Sequence, residues 1–140
     1  MISKINHIGI AVKSLAEQIP FYRDVLQLEL EDTEEVPDQK VKVAMFKVGE
    51  VRIELLEPTG ESSPIAQFIA KRGEGMHHIA YHTNDIEQEI KSAREKGIQM
   101  IDKEPRTGAH DTKIAFMHPR STGKVLTEIC QPQTSGENNE

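Results

Sequence analysis

Gly75-Met-His-His-Ile-Ala-Tyr-His82 reads as a β-strand entered through a glycine, and Ile5-Asn-His-Ile-Gly-Ile-Ala-Val12 has the same form. Displaced by 71 residues, His7 falls on His78, Ile8 on Ile79 and Leu15 on Ile86. Displaced by 74, Val51-Arg-Ile-Glu-Leu55 falls on Val125-Leu-Thr-Glu-Ile129. Each half therefore opens with a strand His and closes with a strand Glu, 47 residues later in the first half and 50 in the second. Self-similarity at a fixed period marks duplicated supersecondary units. Two such units packed face to face would gather His7, Glu54, His78 and Glu128. Two imidazoles and two carboxylates in one place form a divalent-metal site.

Outward from these strands, the first half reads as strand, helix and three strands. Residues 2–12 alternate, with His7 on the face of Ile5, Gly9 and Ala11. Ser14-x-x-Glu17 is a capping box for the helix that follows, and Pro20 should break that helix into a short first turn and a restart. Residues 29–35 approach or form a strand, 36–39 turn, and 41–48 with 51–56 make a hairpin around Gly49-Glu50. Ser63 and Pro64 start a helix that Gly73 closes, with Ile65, Phe68 and Ile69 as its buried stripe. In the second half, Asp85-x-x-Gln88 caps a helix running to Lys96. Strands are expected at 98–102, 112–118 and 125–131, with 104–111 as a loop. The expected organisation is one domain over 1–131: module one at 1–58, a linker helix at 59–74 and module two at 75–131. A flexible tail at 132–140 follows.

The chain has 140 residues, 29% of them charged, and a formal net charge of −6. That balance argues against nucleic acid, which calls for a concentrated basic patch. No apolar run approaches the roughly 20 residues of a membrane span. A single cysteine, Cys130, cannot form an internal disulfide, which suits a reducing compartment, and the cytoplasm is the expected location.

Singly, each ligand candidate has a plainer reading: a strand His is commonly a hydrogen-bonded structural residue, and a strand Glu commonly faces water. The repeat and the apolar neighbours of Glu128 (Leu126 and Cys130) weigh the other way, because a carboxylate among apolar groups is costly unless paired or metal-bound. His77 must face away from His78 and reads as structural. His82 sits at the strand's far end, His118 precedes a proline, and Cys130 reads as a small core residue.

Several segments carry a family resemblance: Ser63-Pro-Ile-Ala-Gln-Phe68, Gly75-Met-His-His-Ile79, Glu104-Pro-Arg-Thr-Gly-Ala-His110, Ile114-Ala-Phe-Met-His-Pro119 and Ser121-Thr-Gly-Lys-Val-Leu-Thr-Glu128. With the paired His-Ile-Gly/Ala strands, they resemble the vicinal oxygen chelate superfamily, and within it the methylmalonyl-CoA epimerases. The resemblance implies an α+β fold of two tandem βαβββ modules, glyoxalase-like, with a metal in the sheet cavity. The ligands carried over are His7, Glu54, His78 and Glu128, holding one divalent ion (Co, Zn, Ni or Mn). Position 54 is Gln in some epimerases, whereas Glu there also matches glyoxalase I. Some epimerases place a second catalytic glutamate where this chain has Val43, which cannot transfer protons.

The implied reaction, an isomerisation, interconverts (2R)- and (2S)-methylmalonyl-CoA by α-proton removal and return through a metal-chelated enediolate. Glu128 is the expected acid/base, and Glu54 the expected carrier on the opposite face, with a bound water as the alternative. Gln39, Arg106, His110 and Lys113 are candidates for holding the acyl-CoA thioester. A homodimer is implied as well. Two rival functions fit the same resemblance: a glyoxalase I-type lactoylglutathione lyase, and a metal-free small-molecule-binding protein.

Overall fold

The computed structural model describes residues 1–132. The chain divides into two compact units, His7–His77 on one side and Met1–Asn6 with the chain from His78 onward on the other.

In the His7–His77 unit, strand β1 (Ile2–Ala11) contributes its second half, where His7, Gly9 and Ala11 are buried and Ile8 and Ile10 half-buried. Ser14 Oγ accepts the Glu17 N–H at 3.2 Å and starts helix α1 (Leu15–Pro20). Pro20 has no N–H to continue the ladder, and Phe21–Val25 widens into a π turn that Leu26 N–H closes on the Phe21 carbonyl at 3.0 Å. Strands β2 (Glu29–Val36), β3 (Val41–Val48) and β4 (Val51–Pro58) follow as antiparallel neighbours, and β2 is bulged between Leu30 and Asp32. Gly49, with φ of 64°, makes the turn between β3 and β4. One sheet face buries Val12, Ala44, Phe46 and Leu55 against Leu15, Ile19 and Tyr22 from α1 and the π turn. Helix α2 (Pro64–Arg72) starts on Ser63, whose Oγ accepts the Ile65 N–H, and ends at Gly73 (φ 81°). Of its expected stripe, Ile65 is buried, while Phe68 and Ile69 are half-buried.

In the second unit, strand β5 (Gly75–Thr83, from His78 on) is followed by helix α3 (Ile86–Glu95), capped by Asp85 Oδ1 on the Gln88 N–H. Ile86, Ile90 and Ala93 of α3 pack on Met100, Ala115 and Ile129. Strands β6 (Arg106–Thr107), β7 (Lys113–Met117) and β8 (Thr127–Gln131) complete the unit. Within the first unit the hydrogen-bonded strand order is β2-β3-β4-β1 and within the second β5-β8-β7-β6, each a mixed sheet, and the α+β expectation holds.

The strands that differ from the sequence reading lie in the second half. Ile98–Asp102 is not a strand; it makes only the bridge Met100↔Met117, and β6 falls instead within 104–111, read as a loop. The cause is a side chain. Ile101 N–H donates to the Phe116 carbonyl, but the Phe116 N–H is taken by Asp102 Oδ2 at 2.9 Å, so no backbone ladder extends from there. Strand β8 begins at Thr127 rather than Val125, because the Val125 carbonyl accepts from the hydroxyls of Thr122 and Thr127. Beyond Pro132, the expected tail lies outside the described residues.

Candidate active site

Each unit builds a His–Glu pair by the same device. In the first, β1 and β4 run parallel with Gly9 opposite Glu54, so His7 lies two residues earlier on the same face. In the second, β5 and β8 run parallel with Ala80 opposite Glu128, and His78 again lies two residues earlier. Glycine and alanine are the residues directly opposite the two glutamates, so no bulky neighbour fills the space across which each carboxylate reaches its imidazole. His7 Nε2 lies 3.5 Å from Glu54 Oε1, and His78 Nε2 lies 3.0 Å from Glu128 Oε1. All four residues are at most 5% exposed. Ionised carboxylates at that depth require an imidazolium, a hydrogen-bond donor or a cation close by.

The donor spacing suits a cation. Two ligands each about 2.1 Å from one ion, at octahedral or tetrahedral angles, lie about 3.0–3.5 Å apart. The His7–Glu54 separation of 3.5 Å fits that spacing better than a direct N–H···O bond, whose usual limit is about 3.2 Å. Imidazole nitrogen with carboxylate oxygen is a donor set that takes Zn, Co, Ni or Mn.

Around Glu54, the paired Met45 and the flanking Val43 and Leu56 are buried on the same face. Val43 is thus part of an apolar strip. Around Glu128, the direct neighbours are Ala80 and Phe116. The Phe116 ring meets the His78 ring edge to face, with centroids 5.5 Å apart. Arg106 lies over the same ring, 5.6 Å from its centroid, and pairs through Nε with Asp102 Oδ1 at 3.0 Å. Sequence reasoning singled out Arg106 but missed Phe116 and Asp102. Phe116 was signalled only by parity, since Ile114 and Phe116 alternate onto the Glu128 face.

The remaining candidates divide. Gln39 ends the short 3₁₀ turn Pro37–Gln39 and is half-buried. His110 is exposed in a left-handed conformation (φ 55°). Lys113 pairs with Thr107 and Gln131, one residue out of phase with Phe116, which puts it on the sheet face away from Glu128. His77 packs edge to face on Phe68 of α2 at 4.9 Å, opposite in parity to His78. His118 Nδ1 accepts the Arg120 N–H and caps a turn, and His82 Nε2 lies 3.3 Å from Asn84 Oδ1.

A profile of the Glyoxalase/Bleomycin resistance protein/Dioxygenase superfamily matches residues 6–116. The chain belongs to this superfamily. Among similar solved structures, a hypothetical protein from Bacillus halodurans is 50% identical, with a TM-score of 0.92 over 94% of this chain and 96% of that one. A methylmalonyl-CoA epimerase in complex with methylmalonyl-CoA and NH4+ is 37% identical, with a TM-score of 0.93 over 96% of this chain and 97% of that one. The ethylmalonyl-CoA/methylmalonyl-CoA epimerase of Cereibacter sphaeroides is 37% identical over 133 residues, covering 94% of this chain and 99% of that one. The glyoxalase-type fold is therefore common to this chain and to epimerases.

Proposed function

We propose that this protein is a metal-dependent methylmalonyl-CoA epimerase. The observation that carries the reading is the twofold use of one register: a buried His–Glu pair at the same offset in each of two parallel strand pairs. The likeness to epimerases along nearly the whole chain supplies the substrate class. His7, Glu54, His78 and Glu128 would together hold one divalent ion. Bound there, the ion supplies Lewis acidity toward the substrate's carboxylate and thioester oxygens, lowering the cost of negative charge as the carbon between them loses its proton.

Glu128 is the base that takes this proton from one face of the carbon, and in the reverse direction the acid that delivers it to that same face. Its neighbours Ala80, Phe116 and Cys130 are buried, so bulk water does not compete for the proton it carries. Glu54, between Met45 and Gly9, is the carrier proposed for the other face of the carbon. Arg106, on the Glu128 face, is better placed than Lys113 to hold an anionic part of the thioester, with Gln39 and His110 as further contacts. The single cysteine supports a cytoplasmic location, and the family resemblance supports a homodimer, which light scattering tests.

The deciding experiment follows deuterium uptake at the α-carbon of methylmalonyl-CoA in D₂O, with and without chelator. Uptake with inversion that chelation abolishes supports the proposal. Glu at position 54 keeps glyoxalase I chemistry in view, so methylglyoxal with glutathione is assayed in parallel. Turnover of that hemithioacetal without α-exchange in the CoA ester would replace the epimerase reading.

A further inference from the structure

Asp102 ends the segment that fails to become a strand, and both its carboxylate oxygens are engaged. Oδ2 accepts the Phe116 N–H at 2.9 Å, and Oδ1 pairs with Arg106 Nε at 3.0 Å. The Arg106 guanidinium lies over the Phe116 ring, whose edge-to-face partner is His78. Arg106 stands opposite Ile114 and Phe116 opposite Glu128, so guanidinium and carboxylate share one sheet face. A guanidinium carries five N–H donors. Nε is spent on Asp102, the terminal nitrogens have no partner among the described residues, and the side chain is 44% exposed.

An i,i+4 ion pair at a surface contributes little to stability by itself. This one differs because the same carboxylate is fixed by a backbone N–H and the arginine is laid on an aromatic face. Both restraints remove rotamer freedom before any ligand arrives, so an anion met by the terminal N–H fork costs less ordering. Resting on the acyl-thioester reading above, we propose that Asp102 is a positioning residue. It holds Arg106 as an anchor for an anionic group of the substrate, either the acyl carboxylate or a CoA phosphate.

Two variants separate this role from a structural one. Asp102→Asn keeps an oxygen for the Phe116 N–H and removes the charge facing Arg106. Arg106→Gln removes the fork and leaves the Asp102–Phe116 bond in place. Calorimetric binding of methylmalonyl-CoA is expected to weaken roughly 10-fold in each, with the double variant no weaker than Arg106→Gln alone. In turnover, KM rises while kcat holds, and the thermal midpoint of Arg106→Gln stays at the wild-type value. Repeating the binding with a pantetheine thioester lacking the CoA phosphates identifies the anion. A loss that persists assigns the acyl carboxylate, and a loss that disappears assigns a phosphate. Wild-type affinity in Arg106→Gln, independent losses that add in the double variant, or no binding by the wild type would each overturn the anchor. Wild-type binding without α-proton exchange would defeat the epimerase reading, while the affinity ratios still decide the anchor.

Discussion

Glutamine at position 128 would keep the volume of the side chain and an oxygen able to meet a cation, but not the basicity of the carboxylate. With Glu128 3% exposed beside Phe116 and Ala80, no solvent base can stand in for it. Glu128→Gln is expected to slow α-proton exchange by roughly 10²–10⁴-fold, read by NMR in D₂O, with metal content by atomic emission largely retained. Exchange at the wild-type rate would remove Glu128 from the proton-transfer role. Away from the site, burial raises the Tyr22 pKa, because the phenolate is disfavoured where the ring packs 5.5 Å from Phe46. A raised folded-state value means that this contribution to stability is complete below the unfolded phenol pKa of about 10. It is lost as pH climbs through the folded value. Tyr22→Phe should therefore flatten the alkaline limb of a pH–stability curve measured by urea unfolding; an unaltered limb would refute that linkage. At this scale parity was the legible quantity: alternation separated His77, against Phe68, from His78, against Glu128.

Element boundaries followed the caps. Ser14, Ser63 and Asp85 each accept the N–H that their spacing indicated, and Pro20 divides its helix as its missing donor requires. Ser63 is fully buried, so Ser63→Ala leaves the Ile65 N–H without its acceptor and should cost about 1 kcal/mol in chemical unfolding. The paired strands make a sharper prediction at Ala80, which is fully buried opposite Glu128. Ala80→Leu overpacks that position, should cost about 1–3 kcal/mol, and should part Glu128 from His78. Urea unfolding combined with metal titration checks both effects, and a variant that kept full metal affinity would show that the small residue is not needed there. Elements failed to be legible where side chains took over backbone partners. Asp102 accepts the Phe116 N–H and Thr122 with Thr127 claim the Val125 carbonyl, so the alternating residues at 98–102 make only an isolated bridge and β8 starts after Val125.

For the whole molecule, the proposed ion links function to stability. A cation that binds the folded chain and not the unfolded one raises stability by about 2.7 kcal/mol when present at 100 times its dissociation constant. Chelation should therefore lower the thermal midpoint as well as abolish exchange, and Zn, Co, Ni or Mn should restore both together. A midpoint indifferent to chelator and to added metal would leave the four residues as a structural hydrogen-bonded set. Among the described residues, no helix is long and apolar enough to cross a membrane.

By itself the sequence determined the doubled plan, the helix caps and the placing of one His and one Glu on strands in each half. Those follow from periodicity and local backbone chemistry, which a linear pattern records. The tertiary structure alone decided the two-residue register offset that Gly9 and Ala80 permit, and the stack of Asp102, Arg106, Phe116 and His78. These depend on which strand lies beside which and on which side chain captures a backbone group. Contacts between residues distant in sequence leave no period to read.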